Sequence, residues 1–436
     1  MQFNAFQYTL LGIFGAFLIL GIVIFSGLIP LGSDAPQGVG GTVVVWGTVS
    51  AARLSEPLVA LNNKNKGLFE VQYVEKDSRF FDLELIEALA ADRGPDLILL
   101  PHDLTLRHRD KILPIPYETF SERSFRDAYV DAGDLYFSSD GILALPFTID
   151  PLVMYYNRSL LSGAGVVKAP AYWDEFFILG EELTKKDAAG NIETSAVSLG
   201  EYRNIRNTKD ILSLLMIQSG NPIVEDENGV YRVLLSERLG LVVPPAESAL
   251  RFFTEFSNPT KPMYSWNRSL SEAQDLFAAN DLVIYFGYAS ERAQIEAKSP
   301  RLNFDVAPIP QVRNVATIAT SGKMTGIAVL KRSKNITTAF YAAYALAGSE
   351  FLQAVLARDT LPPVRRDLLV HKPTDSFGRV FYDAALIVRL WPDPNPEATG
   401  RIFQDMIETV VSGRRTVAEA VGRAAIELTE LYPSNP

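Results

Sequence analysis

Apolar residues in this chain fall into two regimes. Leu10 to Leu31 is a single, almost wholly apolar run of 22 residues, and no charged side chain precedes Asp34. From Thr42 onward, short apolar runs alternate with amphipathic stretches. Thr42–Gly47 and Asp96–Leu100 are near-continuous apolar runs that predict strands buried on both faces, with Phe69–Val74 as a third strand. Between them, Ala51–Asn63 and Phe80–Arg93 carry helical periodicity, the second broken by Gly94-Pro95. Strand–helix–strand–helix–strand over about 60 residues predicts a right-handed α/β wind on a parallel sheet. Ligands of such sheets gather at the carboxyl ends of the strands. That singles out Trp46–Ser50, Lys76–Arg79 and His102-Asp103.

LPFTIDPLVMYYN, residues 145–157, is the most informative stretch. Pro146 and Pro151 bracket an extended segment, and Leu152–Tyr156 is an apolar strand too short for a helix core. A strand that leaves one sheet and enters another is what a cleft between two lobes requires. Beyond it the pattern predicts helices over 173–184, 207–219, 247–257 and 270–279, and a hairpin over 225–234 turning at Glu227-Asn-Gly229. A strand follows at 281–288, a second crossover at 304–310 and a returning strand at 325–330, then helices over 336–347 and 350–358 and at the C-terminal end. No internal repeat or low-complexity tract is present.

At about 1.5 Å per residue, a helix over Leu10–Leu31 spans about 33 Å, enough to cross a bilayer core of about 30 Å. A cleaved signal peptide is the rival reading. It calls for a basic leading region and a small-residue cleavage site. No Lys or Arg precedes the run, and cutting after Ser33-Asp34-Ala35 leaves Pro36 first. An uncleaved anchor over residues 1–31 is expected, followed by a Gly- and Pro-containing flexible tether over 32–41. Charge does not encode the orientation, since no basic residue lies on the N-terminal side.

A chain of 436 residues is too long for one ordinary domain. The formal charge of −10 disfavours nucleic-acid binding, which needs a basic face. With no cysteine, thiol nucleophiles, disulfides and Cys-based metal sites are excluded. His102, His108 and His371 have no zinc-site spacing, and His108-Arg109-Asp110 lacks the asparagine and the glycine-rich loop that a kinase reading needs. No nucleophile elbow, Walker loop or dinucleotide fingerprint occurs. No catalytic residue, metal or cofactor is expected.

The LP…D…YYN segment, followed by Tyr172-Trp173-Asp174-Glu175-Phe176, resembles the family 1 extracellular solute-binding proteins of ABC importers, the maltose- and oligosaccharide-binding type. Tyr172 stands where that pattern has Thr. Phe286-Gly287-Tyr288, Thr325-Gly-Ile-Ala-Val-Leu-Lys331, Leu361-Pro-Pro-Val-Arg365 and Ser412-Gly-Arg-Arg-Thr-Val-Ala-Glu-Ala420 follow in the family's order, so the resemblance covers 42–432. It implies an α/β, two-lobed periplasmic-binding-protein fold (type II-like) with a hinged cleft, and the apolar run read above puts one transmembrane helix before it, in place of the lipid anchor that the family attaches to a cysteine. The first lobe is expected at 42–147 with a return segment over 320–361, and the second at 148–310 and 365–436. Three hinge crossings are expected, near 145–150, 307–310 and 361–365. The implied activity is capture of a carbohydrate, an oligosaccharide, in the cleft between the lobes by a monomer outside the cytoplasm that delivers it to an ABC permease. A binding-fold surface sensor or scaffold is the alternative, and a secreted hydrolase a remoter one.

Sugars present flat C–H faces to aromatic rings and hydroxyls to Asp, Asn, Arg and Lys. The expected ligand contacts are therefore Trp46, Asp103, Asp150, Trp266, Tyr288, Arg365 and Trp391. Trp173 reads instead as a helix-start anchor packed in the second lobe. Core packing competes for Trp46, Trp266, Trp391 and Tyr288, a turn cap in the hinge for Asp150, and a hinge lock for Arg365.

Overall fold

Strand β1 (Thr42–Gly47) pairs in parallel with β2 (Glu70–Glu75) and β3 (Leu97–Pro101). The helices Ala51–Lys64 and Phe81–Ala90 make the crossovers. Leu97 to Leu100 are all buried, as a parallel strand covered on both faces requires. The computed structural model describes residues 39–227, 229–315, 317–357 and 360–433.

Everything else is organised around β4 (Leu145–Asn157), thirteen residues long. Its first half pairs antiparallel with β9 (Gly322–Val329), which pairs in turn with β3. Its second half pairs antiparallel with β7 (Leu282–Tyr288) and β8 (Phe304–Ala307). Beyond β7 lie β6 (Ile192–Val197), parallel to it, and the short β5 (Lys185–Lys186). One nine-stranded sheet thus runs β2-β1-β3-β9-β4-β7-β6-β5, with β8 also on β4.

Two hydrophobic cores divide along β4. Phe147 and Ile149 belong to the first, while Leu152 and Val153 belong to the second. The switch falls at Asp150-Pro151. Proline donates no ladder hydrogen bond, and its carbonyl accepts from the Ala289 N–H at 3.0 Å. The second crossing falls between Ala319 of the second core and Met324 of the first, later than the expected 307–310, because Val312 and Ala319 still pack on the second core.

The third crossing also departs from the sequence expectation, which assigned all of 365–436 to the second lobe. Val364, Leu369, Ala385 and Val388 pack in the first core, whereas Phe381, Ala384 and Trp391 pack in the second. Helix Ser376–Leu386 lies against β4 and serves both cores from neighbouring faces. The chain leaves the first core only after Val388, whose neighbours Ile387 and Arg389 hydrogen-bond the backbone of Thr320. Helices Pro396–Val411 and Val417–Thr429 then complete the second lobe, the latter opened by a Thr416–Glu419 capping box.

Among the described residues no helix is long and apolar enough to cross a membrane. The expected anchor over 1–31 and most of the tether lie outside the described residues. The end of that tether is held in place. Val39 packs on the first core, the Gly40 N–H donates to Thr338 Oγ1 at 3.1 Å, and the Gly40 carbonyl accepts from Asn335 Nδ2.

Candidate ligand-binding cleft

Where the two cores meet, β4 and β9 put Asp150 and Lys323 opposite each other in register. Asp150 Oδ1 accepts from the Ser290 N–H at 3.0 Å. Burial pushes its pKa up to about 6, against the opposing effects of the Ser290 hydrogen bond and the Lys323 charge. Lys323 Nζ lies 4.0 Å from the ring centroid of Tyr288, a cation–π geometry.

Tyr288 is the last residue of β7, paired with Leu152 at the edge of the second lobe. It is 1% exposed, and burial, reinforced by the Asp210 charge, raises its hydroxyl pKa well above the usual value. Two devices hold this strand end. Gly287 leaves room for the Tyr285 ring, which a Cβ there would meet at 2.5 Å. Glu291, itself buried, accepts from Asn207 Nδ2 (2.8 Å), Gln274 Nε2 (2.7 Å), the Tyr288 N–H (3.0 Å) and the Tyr285 hydroxyl. Four donors converging on one buried carboxylate fully satisfy it.

The other two candidate contacts sit at and just beyond the carboxyl ends of β1 and β3. Trp46, half-buried, carries Lys76 Nζ 3.7 Å from its ring centroid, and Lys76 also pairs with Glu84 at 2.8 Å. Asp103 is half-buried in the single turn His102–Leu104 that follows β3. Beside it, His102 Nδ1 accepts from the Met324 N–H at 3.3 Å, which ties this turn to β9 next to Lys323. Asp150, Lys323 and Tyr288 therefore share the junction between the two halves of the sheet; Asp103 adjoins it through its neighbour His102, and Trp46 lies two strands away from β9, at the carboxyl end of β1.

The other three expected contacts do not join them. Trp266 is fully enclosed in the second core, and its indole N–H donates to Asn204 Oδ1 at 3.0 Å, so neither face nor edge is offered to a ligand. Trp391 is 8% exposed and stacks on Phe403 with 18° between planes, while Lys209 lies 5.6 Å from its centroid. Lys209 is in turn engaged by Asp393 and, at 2.9 Å, by Thr399. Arg365 gives Nε and a terminal nitrogen to Asp367 at 3.0 and 2.8 Å and lies 5.6 Å from the Tyr129 ring. That is a local lock within the first lobe. Trp173 is packed in the second core as expected, its N–H donated to Gln218 Oε1 at 2.6 Å.

Sequence reasoning missed Lys323 and Glu291. A signal existed for the first: Lys323 is the lone charge in the otherwise uncharged strand GKMTGIAV, a local inconsistency of the kind that marks functional sites. Glu291 looked like an ordinary acidic residue in a helix's first turn, and only the tertiary fold brings its four donors together.

The lobes also touch away from the chain crossings. Arg109 of the first lobe donates to the Tyr231 hydroxyl of the second-lobe hairpin at 3.1 Å, and Leu106 packs against the second core.

The model of the bacterial extracellular solute-binding protein family matches residues 56–348, two thirds of the chain. The chain belongs to that family. No curated protein matches this solute-binding protein. Among solved structures, a cyclo/maltodextrin-binding protein complexed with maltotetraose is 18% identical, with TM-score 0.73, covering 92% of this chain and 98% of the other. MalE from Xanthomonas citri is 19% identical (TM-score 0.72, 90% and 97%). The GacH receptor of Streptomyces glaucescens, solved unliganded and with acarbose, is 17% identical (TM-score 0.68, 90% and 99%). At these identities the likeness is one of fold, and it spans both lobes of this solute-binding protein.

The two kinds of tryptophan separate in a mutational test. Trp46→Ala is expected to weaken binding of a cognate ligand by about 2 kcal/mol, roughly 30-fold, with little change in melting temperature. Trp266→Ala is expected to cost about 3–5 kcal/mol of stability through the cavity left in the second core. Calorimetric titration beside thermal melts checks both, and the reverse pattern would exchange their roles.

Proposed function

We propose that this protein is a membrane-anchored, extracytoplasmic, monomeric solute-binding protein. It captures a carbohydrate, an oligosaccharide, between its lobes and delivers it to an ABC permease. One observation carries the reading: β4 passes from one core to the other at Asp150-Pro151, where Lys323 stands opposite Asp150 and beside Tyr288, with Trp46 and Asp103 at the carboxyl ends of the neighbouring strands as candidate contacts. An acidic acceptor, an ammonium donor and aromatic rings are the groups a sugar's hydroxyls and C–H faces engage. Structural neighbours solved with maltotetraose, acarbose or maltotriose support the ligand class. The apolar Leu10–Leu31 run supports the anchor, and the family supports a body outside the cytoplasm.

The experiment is native mass spectrometry of the full-length protein against a maltooligosaccharide series, paired with small-angle scattering. Binding is expected to come with a smaller radius of gyration, as the lobes rotate about the crossings. Sugar binding without compaction would sink the closure step. Binding of peptides or other solutes, and of no sugar, would sink the substrate class.

A second reading is favoured by one observation. Lys76 covers the half-buried Trp46 ring, and Tyr288, beneath Lys323, is enclosed in the second core, so neither ring is freely offered to a sugar. A binding-fold surface sensor or scaffold without a transport role fits that covering. No binding in the same screen, by a protein whose lobes stay as they are, is its expected result.

A further inference from the structure

A cavity of about 490 Å3 lies in the first lobe and shares no residue with the candidate contacts of the cleft. Its lining is mainly carbon: Leu113, Ile115 and Leu143, with Ile336, Phe340 and Tyr344 spaced four apart along helix Ile336–Leu346. Arg109 and Lys331 line it as well. We infer that this cavity is a second ligand site, for a small amphiphilic carboxylate whose apolar body fills the cavity while its anionic group meets Arg109 and Lys331.

The space is built into the first lobe. Protein interiors are close-packed, and voids larger than a water molecule are few. This one falls within the range of about 300–1,000 Å3 typical of pockets that bury a ligand. Its lining is tied to strands. The Leu113 N–H donates to the Val329 carbonyl of β9 at 2.8 Å, and Ile115 and Ile142 exchange two hydrogen bonds at 2.8 Å. Gly141 permits that second approach: its φ is +135°, and a Cβ there would meet the Ile115 carbonyl oxygen at 2.2 Å. Ile115, Leu143, Phe340 and Tyr344 are buried in the first core, so the apolar lining is rigid and preformed.

An apolar cavity alone would select a neutral ligand; the two cations change the choice. Arg109 donates to the Tyr231 hydroxyl at 3.1 Å, and Lys331 Nζ to the Asp110 carbonyl at 2.9 Å. Both acceptors are neutral oxygens, so neither contact cancels the charge. A guanidinium carries five N–H donors and an ammonium three, which leaves donors for an anion. Asp140 also lines the cavity, but it is exposed and accepts from the Ser139 hydroxyl at 3.3 Å, and the lining keeps one positive charge in excess. Carbon walls lower the local dielectric and strengthen an ion pair formed at their edge. Arg109 is common to this site and to the contact between the lobes.

The test uses the full-length protein in phosphatidylcholine nanodiscs, with empty nanodiscs as the calorimetric blank. 2-Naphthoate is expected to bind once per chain, about tenfold more tightly than 2-naphthylmethylammonium, which has the same body and the opposite charge. Arg109→Gln and Lys331→Gln are each expected to weaken naphthoate about tenfold and to leave the cationic probe unchanged. Tyr231→Phe, which breaks the lobe contact and spares the cavity, is expected not to weaken it. Amide exchange on the unsubstituted protein locates the site whether or not a variant folds: bound naphthoate is expected to slow exchange several-fold over 113–119 and 336–344. No saturable binding at millimolar naphthoate, equal affinity for the two probes, or unchanged affinity in both glutamine variants overturns the site. So does protection confined to the cleft around Trp46, Asp150 and Tyr288, or a loss in Tyr231→Phe as large as in Arg109→Gln. Nanodiscs containing anionic phosphatidylglycerol are expected to leave naphthoate binding as it is; a large loss there would give the two cations to a lipid headgroup and overturn the free ligand.

Discussion

Glu291→Ala is expected to lower the unfolding free energy by about 4 kcal/mol or more. The carboxylate takes four hydrogen bonds in a buried site, from Asn207, Gln274, the Tyr285 hydroxyl and the Tyr288 backbone. Truncation strands those donors away from water, at about 1–3 kcal/mol for each that finds no substitute, beside the cavity created. Denaturant titration at neutral pH measures the loss. Because Glu291 fixes the end of β7, ligand affinity is expected to fall along with stability, and Glu291→Gln to fall between the two. A melting curve like the parent's would mean that the donors find other partners and that Tyr288 is held by Gly287 and the strand pairing alone.

Much of the architecture was legible because local pattern and tertiary demand agree. Thr42–Gly47 is a strand with the expected bounds, and Ala51–Lys64 and Phe81–Ala90 are helices where the periodicity places them. The Pro146…Pro151 spacing reads as a crossing strand because proline is tolerated only where a ladder hydrogen bond is dispensable, and the two cores do divide there. Helix Ser376–Leu386 defeats the same reasoning. Its sequence shows one amphipathic helix, but which core takes Phe381 and which takes Ala385 depends on how it lies along β4. The aromatic site residues fail for a related reason. Trp266 and Trp46 are both indoles at element ends, yet Asn204 receives the N–H of the first inside a core, and only the second lies half-exposed at the strand ends. Periodicity cannot distinguish these, because burial of a loop tryptophan is decided by partners more than 60 residues away. Asp150 is conspicuous in the sequence as a charge between two prolines in an apolar strand, whereas Lys323, opposite it, emerges only once β9 pairs with β4.

Asp150→Asn is expected to separate function from stability. Burial holds the Asp150 pKa at about 6, above its ordinary value of 3.8. A raised carboxyl pKa means that folding favours the protonated form. Below about pH 4 the group is neutral in both states and costs nothing. As pH rises from about 4 through 6 the unfolded chain ionises first, stability falls, and above about pH 7 the cost is constant. A shift of about two units corresponds to at most about 3 kcal/mol, reduced by the solvent contact of a half-buried side chain to about 1–2 kcal/mol. Asparagine keeps an acceptor for the Ser290 N–H and carries no charge to desolvate. The variant should therefore be more stable than the parent at pH 7.5, with the difference shrinking toward pH 4.5. If Asp150 accepts sugar hydroxyls, the same change replaces charge-assisted hydrogen bonds with neutral ones and weakens binding by about 1–2 kcal/mol, on the order of tenfold. Parent affinity should likewise decline as pH falls from 7 to 5, while the variant's stays flat. Paired denaturation and calorimetric titrations across that range decide the matter. Unchanged affinity would make Asp150 a turn cap in the hinge, and lower stability at pH 7.5 would mean that Lys323 and Ser290 more than offset the desolvation. A more stable protein that binds more weakly would identify Asp150 as a residue kept for its ligand at a standing cost to the fold.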